Sequence, residues 1–221
     1  MFALSQKEKT YNFSIFYKYM ESILQMKVDE YNDVHAFFME LFDHLTANTK
    51  LETVSINELL LSEYNEMIIA DSEVDENIQF VPNQVIGYTF ELDVDGTIKT
   101  DIESVLSDYE FTRLPQQLII HFCRSRPGCK KSFKEILIRP LISITFMEDH
   151  LKFNYILTGL ILHDGRSPLY GHFSSIVKAN NQWWYYNDEK AYKFNEEDLQ
   201  CQRISQNTIM AFYECIETIS Q

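Results

Sequence analysis

Two short runs of strand-like sequence, Gly171 to Lys178 and Gln182 to Asp188, flank an Ala179-Asn180-Asn181 break and constrain this chain more than any other feature. Adjacent asparagines accept the left-handed backbone that a tight hairpin turn demands, so a pair of antiparallel strands is expected. His172 opens the first strand, and Asn187 and Asp188 close the second. In a hairpin the start of one strand lies across from the end of the next, which predicts that the imidazole and a carboxylate meet. A carboxylate-oriented histidine is two-thirds of a nucleophilic triad, because imidazole titrates near neutral pH and can act as base and then as acid. The same residues also read as a strand-edge histidine beside a turn aspartate.

With 221 residues the chain can hold one sizeable domain, and no stretch reads as a linker. Thirteen Tyr and sixteen Phe, against six Gly and five Pro, describe a core builder rather than a disordered chain. The longest apolar runs, around Ile156–Leu162 and Leu118–Ile120, are too short to span a bilayer, so no membrane partner is expected. The opening residues carry no apolar run of signal-peptide length, and an intracellular location, cytoplasmic or nuclear, is the expectation. A formal charge of −14 repels phosphate backbones and steers in a basic protein partner, which argues against nucleic acid. The basic run from Arg124 to Lys131 is the exception, and it reads as a solvated loop between strands.

Four cysteines, Cys123, Cys129, Cys201 and Cys215, include no CxxC pair, so neither a structural zinc nor any other metal or cofactor is expected. Cys123 shares a strand face with His121, two residues away; packing is the simpler role for a thiol inside a strand.

Residues 11–25 show apolar side chains at helical spacing. A second helix follows an Asn32 or Asp33 cap, with Val34, Phe37, Phe38, Leu41, Phe42 and Leu45 repeating at three and four. Asp71–Asn77 reads as a loop, Asp95-Gly96 as a turn, and Thr100-Asp101-Ile102-Glu103 as a capping box for a short helix through Leu106. Asn195 to Leu199 reads as a capped acidic turn.

Several of these segments resemble those of ubiquitin-specific proteases, papain-like cysteine isopeptidases, and they occur in the family's order. Asp33, His35, Phe37, Leu41 and Asp43 match "Q-Q-D-A-H-E-F-L…L-L-D"; Leu114 to Arg124 is similar to "L-P-x-x-L-I-I-x-L-K-R", with Cys123 in place of Lys. Asn154 to Gly165 is similar to "Y-x-L-x-G-V-I-x-H-S-G", and Met210 to Ile216 resembles the family's last strand. Gly171-His172-Phe173 resembles the family's histidine box, with Phe173 replacing the usual Tyr.

The resemblance implies an α+β, papain-like domain over residues 1–221. It would comprise a helical thumb remnant (1–50), shortened fingers without zinc cysteines (51–113), and a mostly antiparallel palm sheet with the histidine box (114–221). It implies His172 as the base, Asp188 as its orienting residue and Asn187 as an aid to polarisation, with Asp33, Gly171 and Phe173 against ubiquitin. Asp33 reads equally as a plain N-cap. No segment here resembles the nucleophile box "G-N-T-C-Y-x-N-S", and the chain opens just after where the family carries it. Without a thiolate and an oxyanion donor a His-Asp pair has nothing to activate. Three readings follow: a catalytically inactive domain that binds ubiquitin or its conjugates, or scaffolds a larger assembly; an active isopeptidase whose cysteine segment is missing here or comes from another chain; and a purely structural interaction module.

Overall fold

The computed structural model describes residues 18, 20–22, 33–48, 59–69, 80–128, 130–146 and 151–219. The helix expected over residues 11–25 and the loop expected at 71–77 lie outside these, apart from residues 18 and 20–22, which are helical.

Strand β9 (Lys152–Ser167) is the spine, and its buried Tyr155, Leu157, Leu160 and Leu162 explain why. A strand apolar over this length has to be covered along both edges and both faces. One edge is taken by β13 (Thr208–Ile219). The other is shared end to end by β8 (Leu141–Thr145), against its first part, and β10 (Tyr170–Ala179), against its last. Beyond β10 come β11 (Gln182–Asn187) and β12 (Lys190–Phe194); beyond β13 come β5 (Gln117–Cys123) and β3 (Phe90–Asp93). Every pairing in this eight-stranded sheet is antiparallel except β3 with β5. A second sheet of three strands, β2-β1-β4, is built from Phe80–Gly87, Ser62–Ile69 and Glu110–Arg113.

Side-chain alternation divides β5 between two cores. Leu118, Ile120 and Phe122 enter the larger core with Phe90, Leu92, Ile142 and Tyr213, whereas Ile119 turns to the opposite face with Met210. Helix α1 (Val34–Asn48) covers that second face, packing Val34, Phe38, Phe42 and Leu45 there. The Phe38 ring lies 5.6 Å from Phe212. Asp33 caps this helix, its Oδ1 accepting the amides of His35 at 2.8 Å and Ala36 at 3.0 Å.

Three local expectations need correction. The short helix α2 (Ile102–Leu106) is capped by Asp101 rather than Thr100, with Oδ1 accepting the Glu103 and Ser104 amides. Glu103 does not reach back to close a capping box; its Oε1 accepts the Ser143 amide at 3.1 Å from the neighbouring strand. The acidic turn at Glu196–Gln200 is present, but Asn195 makes no side-chain capping bond.

The basic run is also no solvated loop at its two ends. Arg124 is 4% and Lys131 5% exposed. Arg124 donates to the carbonyls of Thr208 (2.7 Å), Ser205 (2.6 Å), Lys134 (2.7 Å) and Ser132 (3.4 Å). Lys131 donates to the His163 carbonyl and to Asn207 Oδ1 at 2.7 Å. The Arg124 acceptors come from α3 (Gln202–Asn207), the start of β13 and the loop after β7 (Lys130–Lys131), so the arginine fastens three segments together. Arg126 behaves as expected, exposed and paired with Asp95, and Lys130 is exposed as well.

Candidate functional site

The β10–β11 hairpin forms as the asparagines dictate. Asn180 and Asn181 sit at φ 51° and 60°, the pair of left-handed residues that a two-residue turn matched to strand twist requires. Register then runs Ala179↔Gln182 through Ser175↔Tyr186, which carries Asn187 and Asp188 toward the start of β10. The strand ends there because Asp188 itself turns left-handed, at φ 51°.

His172 meets both residues, in the reverse of the expected order. Its Nε2 lies 2.5 Å from Asn187 Oδ1 and 3.8 Å from Asp188 Oδ2, so the amide makes the direct hydrogen bond and the carboxylate stands behind it. An amide oxygen can only accept, which puts the ring proton on Nε2 and leaves the Nδ1 lone pair as the basic position. The other carboxylate near the ring, Asp164 across the ladder, is already bound to Arg203 at 2.6 Å.

Gly171 is required by the approach of His163: a Cβ there would collide with His163 Nε2 and fall 2.7 Å from the Asp164 carbonyl. Phe173 follows on the same surface, its ring 4.8 Å from that of His163 and 40% exposed. Gly171, Phe173 and His163 line a cleft of about 320 Å³ together with Asp33, His121 and Cys123. Asp33 is thus both cap and cleft wall. The sequence reading did not single out His163, although burial and the nearby Lys131 ammonium push its ring toward the neutral form.

No described cysteine stands as a partner to His172. Cys123 touches His121, its Sγ 3.7 Å from Nδ1, but the same Nδ1 lies 2.6 Å from Glu91 Oε2, and the thiol also donates to Glu91 at 3.1 Å. In a triad the histidine stands between nucleophile and carboxylate, using a different nitrogen for each; here both partners meet at one. Burial and the Glu91 carboxylate push the Cys123 thiol far up, away from the thiolate. Cys201 is exposed, Cys215 half-buried, and Cys129 lies outside the described residues.

The cluster around Glu91 is what sequence reasoning missed. His35 from α1, Thr89 and Glu91 from β3 and its approach, and His121 and Cys123 from β5 converge because Glu91 pairs with His121 in the parallel ladder on the face that α1 covers.

Comparison with known proteins bears on the family and the fold. A family model described as ubiquitin carboxyl-terminal hydrolase matches residues 3–213. Ubiquitin carboxyl-terminal hydrolase 4 of Arabidopsis thaliana is 29% identical over 119 residues, 47% of this chain and 32% of that protein. The chain therefore spans about a third of that curated relative. Among solved structures, the SAGA DUB module of Ubp8, Sgf11, Sgf73 and Sus1 superposes with a TM-score of 0.68 at 14% identity, covering 96% of this chain and 55% of the other. The module bound to ubiquitin aldehyde gives 0.64 at 14% identity, covering 85% and 50%. At such identity the likeness speaks for the fold, and the papain-like α+β architecture expected from the sequence is the one observed.

Proposed function

The chain belongs to the ubiquitin carboxyl-terminal hydrolase family, and from that premise we propose that it is a ubiquitin-recognition domain that, as this chain, does not cleave ubiquitin conjugates. The observation that carries the reading is the separation of base from thiol. His172 is oriented by Asn187 with Nδ1 free, while the one described thiol beside an imidazole is tied to Glu91 and held protonated. Recognition would use the cleft that Asp33, Gly171 and Phe173 line together. A net charge of −14 favours a basic partner segment by long-range attraction. The solved relatives include one bound to monoubiquitin and assemblies of four different proteins, which supports ubiquitin and a larger complex as partner classes.

A second reading is favoured by the His172–Asn187 contact itself. A base already held in one tautomer is ready for a thiol supplied by a further segment or another chain. A ubiquitin derivative with a thiol-reactive C-terminus separates the two. The purified chain is expected to form no covalent adduct and to show saturable ubiquitin binding by calorimetry. An adduct lost on changing one cysteine to Ala overturns the inactive reading, and the absence of both adduct and binding overturns recognition.

A further inference from the structure

We propose that His35, Glu91, His121 and Cys123 form a binding site for a divalent transition-metal ion of the zinc type. The inference is independent of ubiquitin recognition. Its ground is a convergence of ligand atoms from three elements. His35 Nε2 lies 2.9 Å from Glu91 Oε1, and His121 Nδ1 lies 2.6 Å from Glu91 Oε2. Cys123 Sγ lies 3.1 Å from the same Oε2 and 3.7 Å from His121 Nδ1. The ligand atoms of His35, Glu91 and His121 all fall within 4.8 Å of one another. In a tetrahedral site with metal–nitrogen and metal–sulfur bonds of about 2.0–2.3 Å, neighbouring ligands stand about 3.3–3.7 Å apart. The separations among Glu91, His121 and Cys123 and between His35 and Glu91 bracket that value; Cys123 stands outside the three-residue group, so its sulfur has to swing toward His35 as the fourth ligand when an ion enters.

The chemistry of the set agrees with the geometry. Two imidazoles, a thiol and a carboxylate are the donors zinc takes in proteins. The rings of His35 and His121 stack at 3.9 Å with planes 10° apart, and both direct a nitrogen at one carboxylate. Without an ion, Glu91 receives four protic neighbours: His35 and the Thr89 hydroxyl (2.8 Å) on one oxygen, His121 and Cys123 on the other. That arrangement fills the roughly four acceptor positions of a carboxylate. It is the proton-loaded form of a metal site, in which a cation replaces the shared protons. Binding sends the Cys123 thiol proton to solvent, and the single proton of each neutral imidazole moves from the nitrogen facing Glu91 to the one facing away from the ion. Asp33 and Asp93 add negative potential at the thiol, which favours a cation. His121 and Cys123 also line the cleft, which supplies a route in from solvent. Thr89 would remain as the supporting hydrogen bond to the carboxylate.

Paired-cysteine spacing does not find such a site, because its ligands are brought together by the β3–β5 ladder and by α1 lying over it. A bound ion would pin α1, and with it Asp33, to the sheet.

The test uses the full chain, stripped with a chelator and titrated with Zn²⁺ by calorimetry and with Co²⁺ by absorption. One ion per chain is expected, with release of the thiol proton. Co²⁺ should give a thiolate-to-metal charge-transfer band that Cys123→Ser abolishes. His35→Gln and His121→Gln should each weaken Zn²⁺ at least about 100-fold, and Thr89→Val about 10-fold. Circular dichroism of each metal-free variant checks folding. Absence of the charge-transfer band in the folded wild-type chain overturns the assignment whatever the variants do. So does a Zn²⁺ affinity that a folded His121→Gln chain retains within about threefold.

Discussion

Replacing Arg124 by Met should unfold this domain more readily than any change elsewhere in the basic run, and the magnitude can be worked from its contacts. Three of its hydrogen bonds, to Thr208, Ser205 and Lys134, are 2.6–2.7 Å long; the fourth, to Ser132 at 3.4 Å, is weak. A hydrogen bond from a charged donor contributes about 1.5–3 kcal/mol net, so the three short ones give about 4.5–9 kcal/mol. Opposing this is the cost of taking the guanidinium out of water, which pushes its pKa down from its ordinary value to about 10. That shift corresponds to about 3 kcal/mol. The difference is about 1.5–6 kcal/mol, and truncation also strands carbonyls that have only partial alternatives, such as Ser205, which also accepts the Ile136 amide at 3.3 Å.

We therefore expect Arg124→Met to lose about 3–4 kcal/mol, the usual cost of removing a buried charged donor from its partners. For a chain of this size that is about 6–16 °C in melting temperature. Arg124→Lys should recover less than half, because one ammonium cannot serve three divergent carbonyls. Arg126→Ala, two residues along, should leave the urea midpoint almost unmoved, since its side chain is 48% exposed and pairs at the surface. Urea unfolding followed by tyrosine and tryptophan fluorescence measures all three. A cost for Arg124→Met within about 1 kcal/mol of zero, or one matched by Arg126→Ala, refutes the reasoning.

Burial and the neighbouring Arg124 push the Lys131 pKa down to about 8. A folded value below the unfolded one makes stability rise with pH through the interval between them, so wild type should gain up to about 3 kcal/mol on Lys131→Met between pH 7.5 and 10.5; a flat difference refutes this. Burial by itself would raise the Glu91 carboxyl, but the imidazoles of His121 and His35 outweigh it and hold the group below its usual range. Its contribution is then present above about pH 4.5 and fades as pH falls below that, so the urea-midpoint gap between wild type and Glu91→Gln should shrink from pH 7 to pH 3. At the hairpin tip, Asn181→Val should cost about 1–2 kcal/mol and Asn181→Gly almost nothing, because φ is 60° there; equal costs would show that the turn has another backbone form.

What the sequence revealed of this molecule was local. The Asn180-Asn181 turn, the strands at Leu118–Cys123 and Asn154–Gly165 and the Asp33 cap each draw their signal from residues within a few positions of one another, and each is where the spacing put it. The shift of the cap from Thr100 to Asp101 is a one-residue error of the same local kind. Burial of Arg124 was illegible because its acceptors at Ser205 and Thr208 lie some eighty residues away, and a short basic run looks alike in a loop or at a buried junction. The His35–Glu91–His121 convergence was hidden for the same reason. His121 and Cys123 could be placed on one strand face, but no spacing rule announces that a parallel neighbour will set Glu91 opposite them. The exchange of Asp188 for Asn187 beside His172 turns on the left-handed backbone at Asp188, which swings the carboxylate past the ring.

Asp33 can be made to separate folding from recognition. One of its oxygens, Oδ1, accepts the two free amides of the first helical turn, while the residue also forms part of the cleft wall. Capping needs an oxygen but no charge, and asparagine caps a helix about as well as aspartate, whereas alanine loses about 0.5–2 kcal/mol. Holding a basic tail needs the charge. Asp33→Asn should therefore keep the wild-type urea midpoint within about 0.5 kcal/mol and yet weaken ubiquitin binding, while Asp33→Ala should lose both. A purely structural Asp33 predicts instead that the asparagine variant binds as wild type does. Calorimetric titration of ubiquitin at low and moderate salt decides between them, since only a charge–charge contact makes the gap between wild type and the Asp33→Asn chain narrow as salt is added.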